Sequence, residues 1–314
     1  MIAATDCALE AGLYVFGRKA LEILPDMFRF GITFPVTEDD EKTFLDTLNL
    51  KAIERFSRSV QEFAAEHKEK ARRKNLKLAL RISDHDLNNL AGIFEGIGDL
   101  YYKDGVARMP EPFFRNYTNY RALVLAMADL GLGGAPAYVT RIPISQLSDL
   151  LYQEMTEPVI PTVTNSTPEY KTINSREYIS LYQLLKNVPE PAGGRKVSVD
   201  IEISRGTEER LLVVRDNGPG IMDREGNPIS AERLPEIFGE YSSREGGGLG
   251  LQLVKALVEL SSSEGRRAEK GYVNVSTRSE KGSALFYSTS EAVPGTLERE
   301  LARSGTEFRL YFRH

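Results

Sequence analysis

The sequence predicts an α+β protein: a dimeric helical-hairpin four-helix bundle followed by an α/β sandwich. Three observations carry this. Between residues 76 and 127 apolar residues recur at heptad spacing in two runs. After about Ile144 the pattern changes to helices mixed with alternating strands. Glycine clusters then punctuate the second half at strand ends and helix starts.

Taken in order, residues 1–43 read as a small helical segment ending in the acidic turn "TEDDEK". Residues 44–143 read as a helical dimerisation domain. In its first long helix Leu87, Leu90, Phe94, Ile97 and Tyr101 are spaced 3, 4, 3, 4. "KDGVARMPEP" breaks the pattern, and Pro112 suits the first turn of the next helix. Phe113, Tyr117, Tyr120, Val124 and Met127 continue at spacings 4, 3, 4, 3. A hairpin with one apolar seam buries it fully against a second copy, so a homodimer is expected. Residues 144–314 read as the sandwich. "ISQLSDLLYQEM", "YISLYQLLKNV" and "GLQLVKALVEL" are amphipathic helices. "KVSVDIEIS" and "RLLVVRD" are strands paired around "RGTEE". "YVNVSTR", "SALFYST" and "EFRLYF" are further strands, which makes one sheet covered by helices on one face.

Composition narrows the class. The 314 residues are 41% hydrophobic and 27% charged, ordinary for a globular protein. Net charge is −5, and the cationic run "KEKARRKNLK" lies in a helical pattern interrupted by Glu69. It reads as a solvated helix face, and no nucleic-acid partner is expected. Cys7 is the single cysteine, so no internal disulfide or cysteine metal cluster forms, which suits a reducing cytoplasm. No apolar run is long enough for a transmembrane segment, and the N-terminal residues make a poor signal peptide. A cytoplasmic location is the expectation.

Three short stretches stand out. "ISDHDLNNLAGI" holds His85, one of three histidines. With Leu87 at a and Leu90 at d, His85 falls at f, the outermost heptad position, with Asp86 beside it and Asn89 one turn on. Taken alone, this is either a solvated polar face or an imidazole activated by its carboxylate neighbour. "DNGPGI" follows the strand "LLVVR". Asp216 there can accept a hydrogen bond from an exocyclic amine, and Gly218 and Gly220 let backbone approach a planar ring; a plain turn is the bland alternative. "REGGGLGL" opens a helix, so the N–H groups around Gly246, Gly248, Leu249 and Gly250 can seat an anion. It lacks the Gly-Lys-Ser/Thr ending of a Walker A loop.

Together these stretches resemble the core of the two-component sensor histidine kinases, over roughly residues 75–314. "HDLNN" resembles the phosphoacceptor box. "LYQLLKN" resembles the N box, with Asn187 at the magnesium position. "DNGPGI" resembles the first glycine box, with Asp216 on adenine; "LPEIFGEY" the F box, with Phe238 in the ATP lid; "GGGLGL" the second glycine box; and "SGTEFRLYF" the last, with Thr306. The glycine boxes are shared with ATP-dependent chaperones, mismatch-repair ATPases and type II topoisomerases; the histidine box narrows the likeness to kinases. The sequence departs from the pattern at Gln183, where the N box usually has asparagine, at Val188-Pro189, and at Glu190, where a basic or polar residue is usual. It also carries about 25 extra residues near 280–304. The resemblance implies ATP and Mg2+ as ligands, autophosphorylation of His85 with Asp86 as base, and transfer to the receiver domain of a separate response regulator. It further implies a regulator-phosphatase role for Asn89. The rival expectation is a non-catalytic phosphorelay or scaffold with a degenerate nucleotide site. A third is a conformational ATPase to which the histidine is irrelevant.

Overall fold

The structure is a computed structural model. It describes residues 58, 62, 78, 81, 118–119, 122–123, 125–127, 130, 141–151, 160–188, 197–206, 209–223, 225–239, 249–260, 270–279, 284–290, 296–298 and 304–313. The chain divides into two compact units, residues 1–138 and 139–314.

In the first unit every described residue is helical. Arg58 and Glu62 are exposed. Ala122, Leu123, Leu125, Ala126, Met127 and Leu130 are buried, as is Asn119. On a helical wheel these span an arc wider than a two-position seam. Leu78 is also buried, although it lies one heptad before His85 at the same f position. At Leu78 the heptad reading, which puts f outermost, therefore does not hold: the apolar side chain is covered within the single chain. The expected seam residues Leu87, Leu90, Phe94, Ile97 and Tyr101 lie outside the described residues.

The second unit opens with β1 (Ile142–Pro143), a 3-10 turn (Ile144–Gln146) and the short α1 (Leu147–Leu150). Then come β2 (Thr162–Asn165), β3 (Thr172–Ile173) and α2 (Ser175–Lys186). β4 (Val199–Arg205) and β5 (Glu209–Asp216) precede a second 3-10 turn (Leu234–Phe238) and α3 (Leu249–Glu259). β6 (Tyr272–Arg278), β7 (Leu285–Ser288), β8 (Thr296–Glu298) and β9 (Gly305–Arg313) complete the order. β1 pairs with β3 as a separate antiparallel ribbon. The other seven strands form one sheet in the order β2-β4-β5-β9-β6-β7-β8, in which only the β2–β4 pair is parallel.

The expected β4–β5 hairpin is present, with Val199 opposite Asp216 and Arg205 opposite Arg210. Its alternation explains the architecture, since successive side chains point to opposite faces. Val199, Ile201 and Ile203 of β4, Leu212 and Val214 of β5, and Phe308, Leu310 and Phe312 of β9 are buried on one face. α2 and α3 cover that face with Tyr178, Ile179, Leu181, Leu184 and Leu185, and with Leu253, Val254, Leu257 and Val258. The opposite face carries Arg215 between Glu202 and Glu307, and the stacked rings of Tyr272 and Tyr311, centroids 4.3 Å apart.

α2 starts sharply because Asn174 and Glu177 form a reciprocal capping box. Asn174 Oδ1 accepts from Glu177 N at 3.0 Å, and Glu177 Oε2 accepts from Asn174 N at 2.8 Å. The helix ends at Asn187, whose N–H turns back to the Leu184 and Leu185 carbonyls. Among the described residues, no helix is long and apolar enough to cross a membrane.

Candidate functional site

Three strand ends meet beneath the helices. Asp216, the last residue of β5, lies opposite Thr306 near the start of β9. Thr306 lies opposite Thr277 at the end of β6. By alternation from Leu212 and Val214, the Asp216 side chain projects from the helix-covered face. Burial pushes its carboxyl above the ordinary aspartate value; hydrogen bonds from Gly218 N, at 2.8 Å, and from the Thr306 N–H and hydroxyl pull it back only in part. The result is a poorly solvated acceptor with lone pairs left over.

Gly305 makes that position possible. Its φ is +137°, and a Cβ there would sit 2.0 Å from the Asp216 carbonyl oxygen. The loop 217–221 lies equally close to β6. Gly220 has φ +83°, and a Cβ on it would meet the Arg278 carbonyl oxygen at 2.7 Å. Ile221 N donates to Thr277 Oγ1 at 2.8 Å, fixing the far side of the loop.

The helices bring a second set of residues to the same end of the sheet. α3 ends over the start of β6, since a Cβ on Gly271 would lie 2.2 Å from the Val258 carbonyl oxygen. The first turn of α3 therefore lies toward the opposite end, where β6 finishes and β9 begins. α2 runs antiparallel to it: Arg176 at the start of α2 donates to the Leu260 carbonyl just past the end of α3. At the other end, a Cβ on Gly250 would lie 2.9 Å from Gln183 Oε1 and 3.6 Å from Asn187 Nδ2. Gly250 thus lets α3 close onto α2. Asn187 is exposed, and its Nδ2 donates to the Gln183 carbonyl at 2.8 Å, so its side-chain oxygen is the atom available to a cation.

Asp216, Gly218, Gly220 and Thr306 are thus gathered on the sheet, and Asn187, Leu249 and Gly250 on the helices above. The helix expected from Gly250 starts at Leu249, so both residues lie in the first turn of α3. Phe238 is buried at the end of the second 3-10 turn, its ring centroid 6.0 Å from that of Tyr287. It anchors the end of that turn, up to Gly239, in the core. Gln252 on α3 braces the same point by donating to the Gly239 carbonyl. Gly246, Gly248, His85, Asp86 and Asn89 lie outside the described residues.

Sequence reading missed Thr277, whose hydroxyl is recognisable only once β6 is placed beside the glycine loop. It also missed Glu177, which is fully buried and paired with Arg210. The spacing Asn174-x-x-Glu177 is a capping-box signal that points to the helix start, though not to the arginine.

The site thus joins a desolvated acceptor and a glycine loop, suited to a planar base bearing an amine, to an amide oxygen and a helix start, suited to a metal-bound phosphate. Residues 178–313 match the family model of histidine kinase-, DNA gyrase B- and HSP90-like ATPases. A 72-residue stretch is 43% identical to the sensor protein kinase PmrB of Pseudomonas aeruginosa, covering 22% of this chain and 14% of that protein. Residues 178–313 are thus similar to the ATP-binding domain of that ATPase family, the GHKL type, and the chain spans a small part of the sensor kinase it matches. Among solved structures, the catalytic domain of histidine kinase ThkA aligns at 15% identity over 56% of this chain and 95% of its own, with a TM-score of 0.35. Acinetobacter baumannii histidine kinase AdeS aligns at 16% identity over 73% of this chain and 97% of its own, with a TM-score of 0.33.

ATP is the ligand of a GHKL domain, and the residues present fit it: the acceptor, the close glycine backbone and the α3 start are all in place. Among the described residues, no group of three or more histidine, cysteine, aspartate or glutamate side chains could hold a metal. The Asn187 amide oxygen is a described group that would ligate a magnesium ion arriving with phosphate oxygens and water.

Proposed function

We propose that the protein is an ATP-dependent histidine autokinase that phosphorylates His85 and passes the phosphoryl group to an aspartate on the receiver domain of a separate response regulator. The observation that supports it best is the placement of the half-buried Asp216 carboxylate at one end of the glycine-lined site, with Asn187 at the paired ends of α2 and α3. Asp216 accepts the exocyclic amine of adenine, and Gly218 and Gly220 admit the ring. The N–H groups at the start of α3 face the phosphates, and Asn187 ligates magnesium, which when bound spreads the charge developing on the transferred group.

The imidazole of His85 attacks the γ-phosphorus. A nitrogen–phosphorus bond forms as the bond to the bridging oxygen breaks, and ADP leaves with that electron pair. Asp86 takes the proton from the other ring nitrogen, which keeps the phosphohistidine neutral at the ring. Incubation with γ-labelled ATP and magnesium is expected to give acid-labile label, and His85→Gln to abolish it while ATP binding persists. Label that survives in His85→Gln, or disappears in His67→Gln, refutes the assignment.

Asn89 follows His85 by four residues, one turn on in the helix the heptad pattern predicts, where a neutral amide would orient water toward a docked phosphoaspartate. Asn89→Ala is expected to leave His85 labelling intact and to slow dephosphorylation of the regulator. Equal dephosphorylation rates with wild type, in ADP and magnesium, exclude the phosphatase role.

Gln183 favours a second reading. It replaces an N-box asparagine and is buried against Gly250, which suits a non-catalytic phosphorelay or scaffold with an altered phosphate end. A magnesium-dependent rise in melting temperature with ATP separates the two, because a ligand that binds only the folded state stabilises it.

A further inference from the structure

The nucleotide site proposed above needs two elements held at a fixed separation: β5, which ends in Asp216, and α2, which ends in Asn187. Both are tied together at their opposite ends by one buried ionic cluster. Glu177, in the first turn of α2, is fully buried, and its Oε1 accepts from the Arg210 guanidinium at the start of β5. Its Oε2 is occupied by the Asn174 N–H. Arg210 lies beneath the ring of Tyr170, 3.9 Å from its centroid. Arg210 Nε is buried and has no hydrogen-bond partner among the described residues, so the guanidinium is held by the carboxylate and the ring.

A buried ion pair of this kind contributes little net stability over an apolar pair of the same volume. What it supplies here is register. Rotating α2 by one residue, or sliding it along β5, would leave two charges buried without partners. Asn187 is ten residues along the helix from Glu177, about 15 Å at 1.5 Å per residue. Asp216 is six residues along the strand from Arg210, about 20 Å at 3.4 Å per residue. Both lengths are rigid hydrogen-bonded backbone, so fixing one end fixes the gap at the other.

We infer that Glu177 and Arg210 are positioning residues that set the distance between the adenine acceptor Asp216 and the magnesium–phosphate end at Asn187. The proposal rests on the ATP-binding reading of the site. It concerns only ligands that reach both ends: magnesium–ATP must satisfy Asp216 and Asn187 together, whereas adenosine touches the Asp216 end alone.

The test is calorimetric titration of the full-length protein with adenosine and with magnesium–ATP, in wild type and in the double variant Glu177→Met/Arg210→Met. The apolar pair keeps the volume and removes both charges. The expected result is a melting temperature within a few degrees of wild type, since Glu177 also serves the helix cap, with unchanged adenosine affinity and magnesium–ATP affinity lower by about tenfold or more. Magnesium–ATP affinity equal to wild type, or an equal loss for both ligands, overturns the positioning role. If the double variant does not fold, Arg210→Lys carries the same comparison, since it keeps the charge and loses the planar fork. A selective loss for magnesium–ATP supports the inference there, and no selective loss overturns it. If wild type binds neither ligand, the ATP-binding reading itself fails and takes this inference with it, an outcome distinct from a variant that matches a binding-competent wild type.

Discussion

Asp216 joins a stability cost to a proposed binding role in one side chain. Burial raises its pKa above the value of 3.8 it has in an unfolded chain. Between that value and its folded pKa, the folded protein binds more protons than the unfolded chain, so stability falls as pH rises through this window. Above the window the cost of a half-buried carboxylate is fully present. Asp216→Asn removes that charge and keeps an oxygen for the Gly218 N–H. The expected outcome without nucleotide at pH 7 is a melting temperature above wild type. ATP affinity is expected to fall about tenfold to a hundredfold, because a buried amine loses its acceptor at roughly 1–3 kcal/mol. In wild type, ATP affinity should decline on acidification through the raised pKa, where the acceptor is protonated. A scanning-calorimetry trace with lower melting temperature in the variant, or titration with unchanged ATP affinity, contradicts these assignments. The identity of Asp216 was legible in "DNGPGI"; its desolvation was not. Its contact with Gly305 joins residues 89 positions apart, and only the β5–β9 register brings them together.

The elements that sequence reading recovered are those whose pattern is local. β4 alternates over seven residues, β5 carries an apolar run within its eight, and α3 carries its apolar stripe within eleven. β2 was missed because Thr162–Asn165 is an edge strand with no buried residue, so it has no hydrophobic alternation to read. β1, β3 and β8 span two, two and three residues, below any periodic signal. β7 and β8 place part of the extra segment near 280–304 at the sheet edge. Its alternation announced β7, while β8 exists only by pairing with it. The start of α2 was legible in principle, because Asn174 and Glu177 bear the capping-box spacing. Asn174→Ala removes the acceptor for Glu177 N and loosens the carboxylate that holds Arg210. The cap alone costs about 1 kcal/mol, which for a unit of this size lowers the melting temperature by about 2–4 °C. A thermal-melt difference smaller than one degree would mean the cap is redundant with the Glu177–Arg210 pair.

At the scale of the molecule, the two units were legible to different depths. The second was readable because its motifs each demand a backbone conformation and fall in one order. The first rests on periodicity, and periodicity says which residues are covered without saying by what. Leu78 illustrates this: its heptad position predicts exposure, yet it is buried within one chain. Likewise Leu123, Ala126 and Leu130 are covered alongside Met127, although only Met127 belongs to the expected stripe. Intrachain packing therefore satisfies more of the helix at 118–130 than a bare hairpin would allow. The dimer we expect must then rest on the other stripe: Leu87, Leu90, Phe94, Ile97 and Tyr101. In the kinase proposed above, such a stripe would form an interface between copies, with a/d side chains of one helix filling the holes of another. Leu90→Glu puts a carboxylate at a d position in the middle of that seam, where it would be buried without a partner. Light scattering at micromolar concentration should give twice the 35.1 kDa chain mass for wild type and the single chain mass for the variant. The melting temperature of the second unit and its ATP affinity should be untouched, since residues 139–314 form a compact unit of their own. A monomeric wild type refutes the dimer, and a dimeric Leu90→Glu variant moves the interface to another face of the helical unit.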